Sequence, residues 1–211
     1  MYTLVNNNID TLLREINRKS HVLPYIELSN SFRQGDYQTN AFQKQYRDFY
    51  QLNAARLSDD FCSAYFELLN RGNRETSIEE IINSLYEIQS NAKGIHAVHF
   101  SFATKLIHTL DNNLPIYDRM VATFYFLPDI KQNWTKEKKI EVYLNSYKFL
   151  KSEYERVIDN NLLEISIDKF RKKFDVDDKQ YSNCKVIDTL IWRYTALLKS
   201  GAICNRHIQY R

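Results

Sequence analysis

Only four glycines and three prolines interrupt this chain of 211 residues, too few for the many tight turns of a β-sandwich or barrel. Apolar residues in the long uninterrupted stretches recur at helical spacing, and no stretch alternates in the way a half-buried strand requires. An all-α fold is expected. At this length the chain can bury a sizeable core, either as one compact domain over 1–211 or as two packed lobes.

Leu4, Ile9, Leu12, Leu13 and Ile16 form a stripe that predicts a helix over 3–18. Pro24 and Gly35 then break the pattern in a polar turn. A second helix over 41–57 presents Phe42, Tyr46, Phe49 and Tyr50 on one face. Ser58 caps a third, to about residue 70, that buries Phe61, Tyr65, Phe66, Leu68 and Leu69. Ser77-Ile78-Glu79-Glu80 reads as a capping box for a fourth. Further helices are expected over 98–110, 118–127, 136–158 (capped by Thr135) and 183–199. No repeat, low-complexity segment or long linker divides the chain.

The three cysteines, Cys62, Cys184 and Cys204, have no metal-ligand spacing and read as free thiols of a reducing compartment. The first residues lack the basic and apolar regions of a secretory signal, and no window approaches the ~20 apolar residues of a membrane span. A cytoplasmic, monomeric protein without a membrane partner is expected. The net charge of +3 is unevenly placed. Residues 1–100 carry 10 basic and 12 acidic side chains, and 101–211 carry 19 and 14. Clusters at Lys136, Lys138 and Lys139, at Lys169, Arg171, Lys172 and Lys173, and at Arg206, His207 and Arg211 are either solvated helix faces or contacts for phosphates.

The richest stretch is 99–121, HFSFATKLIHTLDNNLPIYDRMV, an apolar helical segment leading through a polar turn to Asp118. Together with Lys93-Gly94-Ile95 before it, it resembles the core of the helix-hairpin-helix DNA glycosylases. In that superfamily a glycine-containing hairpin and a helix precede an Asp in a P-[VI]-x-D-x-[HM]-[VI] context. Pro115, Ile116, Asp118 and Val121 fit that context, and Asp118-Arg119 resembles the Asp-Arg pair of the small archaeal-type 8-oxoguanine glycosylase/lyases. Residues 186–194, VIDTLIWRY, resemble their closing helix, and 143–158 their penultimate one. The resemblance spans roughly residues 80–200.

It implies a two-lobe helical architecture and an enzyme that flips a damaged or modified base out of double-stranded DNA and excises it without a cofactor. Asp118 would be the catalytic carboxylate, stabilising an oxocarbenium-like sugar and activating water. Lys93, Gly94 and Arg119 would contact DNA, and Tyr117, Phe124, Trp192 and Tyr194 would line the base pocket. Bifunctional members place a Schiff-base lysine about eighteen residues before the Asp. Phe100 and Ser101 stand there in this chain, so the pattern favours hydrolysis over strand cleavage.

Lys105, one helical turn beyond Ser101, is the candidate for a displaced nucleophile; as a solvent-facing helical lysine it needs no function. By position alone Asp118 serves equally well as an N-cap, and Trp192 as a core residue. His96, His99 and His108 complete no recognisable metal pattern, and no metal is expected. Two non-enzymatic readings also fit the residues: a DNA-binding or interaction module on a degenerate glycosylase scaffold, and an unrelated helical interaction protein.

Overall fold

The computed structural model describes residues 1–91 and 93–204, which contain helices and no strand. The single helix expected over 3–18 is two. Asn8 separates α1 (Tyr2–Asn7) from α2 (Ile9–Glu15), its side-chain amide donating to the Leu4 carbonyl at 2.8 Å. A π turn at Arg18–Val22 follows, capped by Asn17. The polar turn expected around Pro24 is a helix, α3 (Leu23–Gln34). Pro24 lies in its first turn, where a missing N–H costs nothing, and Gly35 ends it in the left-handed conformation at φ 88°.

The helix expected to reach residue 57 stops early as α4 (Asn40–Phe49), and the chain turns through Gln51 and Arg56, both at positive φ. α5 (Asp59–Arg71) begins where expected, with Ser58 Oγ accepting the Phe61 N–H at 3.1 Å. α6 (Ile78–Tyr86) starts after Ser77 without the side-chain hydrogen bond of a capping box. Then come α7 (Phe100–Leu110), the short α8 (Arg119–Phe124), the long α9 (Lys136–Asp159), an unforeseen α10 (Glu164–Phe174) and α11 (Asn183–Lys199). Thr135 and Ser182 cap α9 and α11 through their hydroxyls.

These helices enclose two apolar cores. One is built from both ends of the chain: α1 and α2 supply Val5, Ile9, Leu12 and Leu13, while α10 and α11 supply Phe170, Phe174, Ile187, Leu190 and Ile191. The other is built from the middle, with Tyr46, Phe61, Tyr65, Leu69, Ile81, Leu85 and Leu106. Two helices join them. α3 gives Tyr25 and Ile26 to the first core and Leu28 to the second. α9, whose 24 residues rise about 36 Å, gives Ile140 and Tyr147 to the second and Leu150, Tyr154 and Val157 to the first. The seam between the cores is where polar side chains collect.

Candidate functional site

The site is organised by two buried polar residues one turn apart on α7. Thr104 and His108 are 0% and 1% exposed. Thr104 Oγ1 accepts the Tyr117 backbone N–H at 3.1 Å and donates to the Ser101 carbonyl at 3.0 Å. His108 Nδ1 donates to the Leu114 carbonyl at 2.6 Å. Its Nε2 therefore accepts from the Tyr25 hydroxyl, at 3.0 Å. Burial, helped by the Lys185 charge, pushes His108 down to about 3, which keeps the ring neutral in this role. Tyr147 OH donates to the Pro115 carbonyl at 3.1 Å and Ser182 Oγ to the Asn112 carbonyl at 2.6 Å. The loop from 111 to 118 is thus tied at several points to three helices, and it ends on Asp118.

Asp118 has extended backbone (φ −139°, ψ 177°), and its Oδ1 accepts the Val121 N–H at 2.8 Å, capping α8. It also lines a cleft of about 600 Å³ at the seam. The cap and a chemical role are therefore compatible. Desolvation raises the carboxyl to about 6, with the Asp188 charge acting in the same direction against the Val121 hydrogen bond and the Lys105 charge.

Lys105 lines the same cleft. It is not a solvent-facing lysine: it is half-buried, its Nζ donates to the Tyr50 carbonyl at 3.0 Å, and it lies 4.9 Å from the centre of the Phe102 ring. Burial brings its amine down to about 8, overriding the opposite pull of Asp118. No ion pair within 4 Å joins it to Asp118 among the described residues. The two groups share a field without neutralising each other.

α11 forms the deep side. Lys185 and Asp188, each 6% exposed, pair at 2.8 Å. Burial alone would lower the Lys185 amine, but Asp188, Tyr181 and Tyr50 outweigh it and hold it above its ordinary range. Removing one partner would leave the other as an uncompensated buried charge. At the mouth stand Trp192, 38% exposed, with Arg193 and His21. Sequence reasoning assigned no role to Lys185, Asp188, His21 or Arg193. A signal existed in Lys185, Asp188 and Trp192, spaced i, i+3, i+7 and so sharing one face of an otherwise apolar helix.

The other expected site residues lie elsewhere. Phe124 and Tyr194, each 1% exposed, meet edge to face in the first core at 5.9 Å between ring centres. Tyr117 packs edge-on against Phe100 and Tyr143. Of the four aromatic residues expected in a base pocket, only Trp192 lines the cleft. Lys93 and Gly94 are exposed on the turn between α6 and α7, with Gly94 at φ 69°, and Arg119 is exposed on α8; none of the three lines the cleft.

His96 and His99 bond separately, to the Tyr86 carbonyl and the Ser90 hydroxyl. No cluster of metal-ligating side chains occurs among the described residues, where Cys62, Cys184 and Cys204 are free thiols. Several cations of the basic clusters pair with carboxylates: Lys136 with Glu87, Lys138 with Glu141, Lys169 with Asp10 and Arg171 with Asp178. Arg206, His207 and Arg211 lie outside the described residues. No helix among the described residues is long and apolar enough to cross a membrane.

Comparison of the chain with protein-family models, curated proteins and solved structures returns no match.

Proposed function

We propose that this chain is a DNA glycosylase-like enzyme that takes a damaged or modified base out of duplex DNA and cleaves its N-glycosidic bond in the cleft. The observation that carries this reading is the meeting of Lys105 and Asp118 in one partly closed site, the amine lowered to about 8 and the carboxyl raised to about 6. The resemblance of 99–121 and 186–194 to the helix-hairpin-helix glycosylases supports it independently. Trp192 offers an exposed ring on which an extruded base can stack.

At pH 7 about a tenth of Lys105 is neutral, against well under a thousandth for an ordinary lysine. The neutral Nζ adds to C1′ as the bond to the base breaks, and the bonding electron pair leaves with the base, which takes up a proton. The Asp118 carboxylate stabilises the cationic sugar and accepts the proton shed by the attacking amine. The nitrogen lone pair then forms the C1′=N bond of an imine as the C1′–O4′ bond breaks, and O4′ takes the proton held by Asp118. This favours amine attack over the Asp118-activated water that the sequence alone suggests.

Incubation with duplex DNA carrying a panel of oxidised, alkylated and deaminated bases tests it. Base release is expected, with a covalent protein–DNA adduct on borohydride reduction. Lys105→Gln is expected to abolish the adduct, and Asp118→Asn to abolish release while DNA binding persists. Release that survives Lys105→Gln without any adduct would restore the water route. Binding without release from any substrate would favour a non-catalytic DNA-binding module.

A further inference from the structure

At the mouth of the cleft, two hydrogen-bond donors face each other. His21 Nδ1 accepts the backbone N–H of Asn17 at 2.8 Å. A neutral imidazole that accepts at Nδ1 carries its proton on Nε2. Burial, reinforced by the neighbouring Arg193 charge, lowers the His21 pKa and keeps the ring neutral. Yet Arg193 Nη2, which can only donate, lies 3.2 Å from that Nε2. Arg193 Nε is buried and has no hydrogen-bond partner among the described residues. Donors brought together without an acceptor are costly, and an anionic oxygen at this position would satisfy both.

The surrounding charge agrees. Of the carboxylates lining the cleft, Asp188 is paired with Lys185 and Asp48 with Lys44, at 2.8 and 2.9 Å. Glu15 acts on Arg193 from beyond ion-pair range. The lining cations Lys105, Lys185 and Arg193 balance the lining carboxylates Asp48, Asp118 and Asp188 in number, but among the described residues no carboxylate lies within ion-pair range of Arg193. The guanidinium lies 5.4 Å from the centre of the Trp192 ring, so an anion held there sits beside an aromatic platform.

We propose that His21 and Arg193 form a phosphate-binding subsite at the cleft mouth, with the His21 Nε2–H and the Arg193 guanidinium donating to oxygens of one phosphate. Guanidinium geometry suits a phosphate through two parallel N–H bonds, and the imidazole supplies a third donor. The subsite stands on its own geometry. That its phosphate is a phosphodiester next to an extruded nucleotide, rather than a free phosphate, rests on the base-excision reading.

Inorganic phosphate titrated into the intact protein, followed by the His21 ring resonances in NMR, tests the subsite. A saturable shift with a raised His21 pKa is expected, absent in Arg193→Gln, with thermal melting used to confirm that the variant folds. In parallel, duplex DNA binding is measured between 50 and 200 mM salt. Arg193→Gln is expected to weaken it several-fold and to reduce the slope of log K against log salt by about one. A phosphate shift with unchanged duplex binding would keep the subsite and assign it to small phosphates, against the DNA reading. No saturable shift together with unchanged duplex binding would overturn the subsite, whatever Lys105 and Asp118 are found to do.

Discussion

Asp118 caps α8 through Oδ1 and faces the cleft as well, and one substitution separates the two roles. Asparagine caps a helix as well as aspartate does, but carries no charge. Because the folded-state pKa of about 6 lies above the ordinary 3.8, the stabilisation linked to this group is complete below about pH 4 and lost as pH rises through 6. At pH 7–8 the ionised carboxylate is a cost. Asp118→Asn is therefore expected to stabilise the protein by about 1–2 kcal/mol at pH 7.5 and to make no difference near pH 4, read by thermal melting. An unchanged or lowered midpoint at pH 7.5 would show that the carboxylate is not desolvated.

In the unmutated protein, the proposed amine attack requires Asp118 ionised and Lys105 neutral. The rate is then expected to climb through pH 6 and again through pH 8 to a plateau. A profile that falls between 6 and 8 contradicts these roles.

At the scale of elements, α7 is a template for the loop behind Asp118, with Thr104 and His108 holding it from inside. Thr104→Val keeps the shape but leaves the Tyr117 N–H without its acceptor, at an expected cost of about 1–3 kcal/mol. Since Tyr117 precedes Asp118, kcat should fall more than DNA affinity, and Thr104→Ser should restore both. Equal losses in folding midpoint and DNA affinity, with kcat intact, would show that the loop does not position Asp118.

Much of this level was legible in the sequence. Ser58, Thr135 and the run 183–199 announced helices by caps and periodicity. α3 was not legible, because Pro24 and Gly35 punctuate a helix at its two ends as readily as they break one. The aromatic wall failed for a simpler reason. Residues 192 and 194 are about 200° apart around a helix, so Trp192 and Tyr194 cannot both face one cleft. Which of them faces it depends on packing against Phe124, a contact between helices far apart in sequence.

At the scale of the whole molecule, the cleft depends on how the chain closes. The first core needs both termini: Asn6 Nδ2 donates to the Leu162 carbonyl at 3.0 Å, Lys173 Nζ to the Leu13 carbonyl at 2.6 Å, and Arg18 Nε to the Phe174 carbonyl at 3.1 Å. The middle core draws on residues between 28 and 147 and needs neither end. Removing residues 1–17 deletes Val5, Ile9, Leu12, Leu13 and Ile16, each buried to 6% exposure or less. At roughly 1.5–3 kcal/mol for each such side chain, the loss approaches the entire stability of a typical domain. The truncated chain is therefore expected to lose hydrogen-exchange protection in α10 and α11 and to keep it in α5, α6 and α7. Base release should go with the first core, because Lys105 would remain on its wall while α11, which forms the deep side, no longer held its place. A separate peptide spanning 1–17 should restore protection in α11, since its packing against α10 and α11 needs no covalent link. Undiminished protection of α11 in the truncated chain would mean that the C-terminal helices pack without the N-terminus, and that the deep side of the cleft does not depend on residues 1–17.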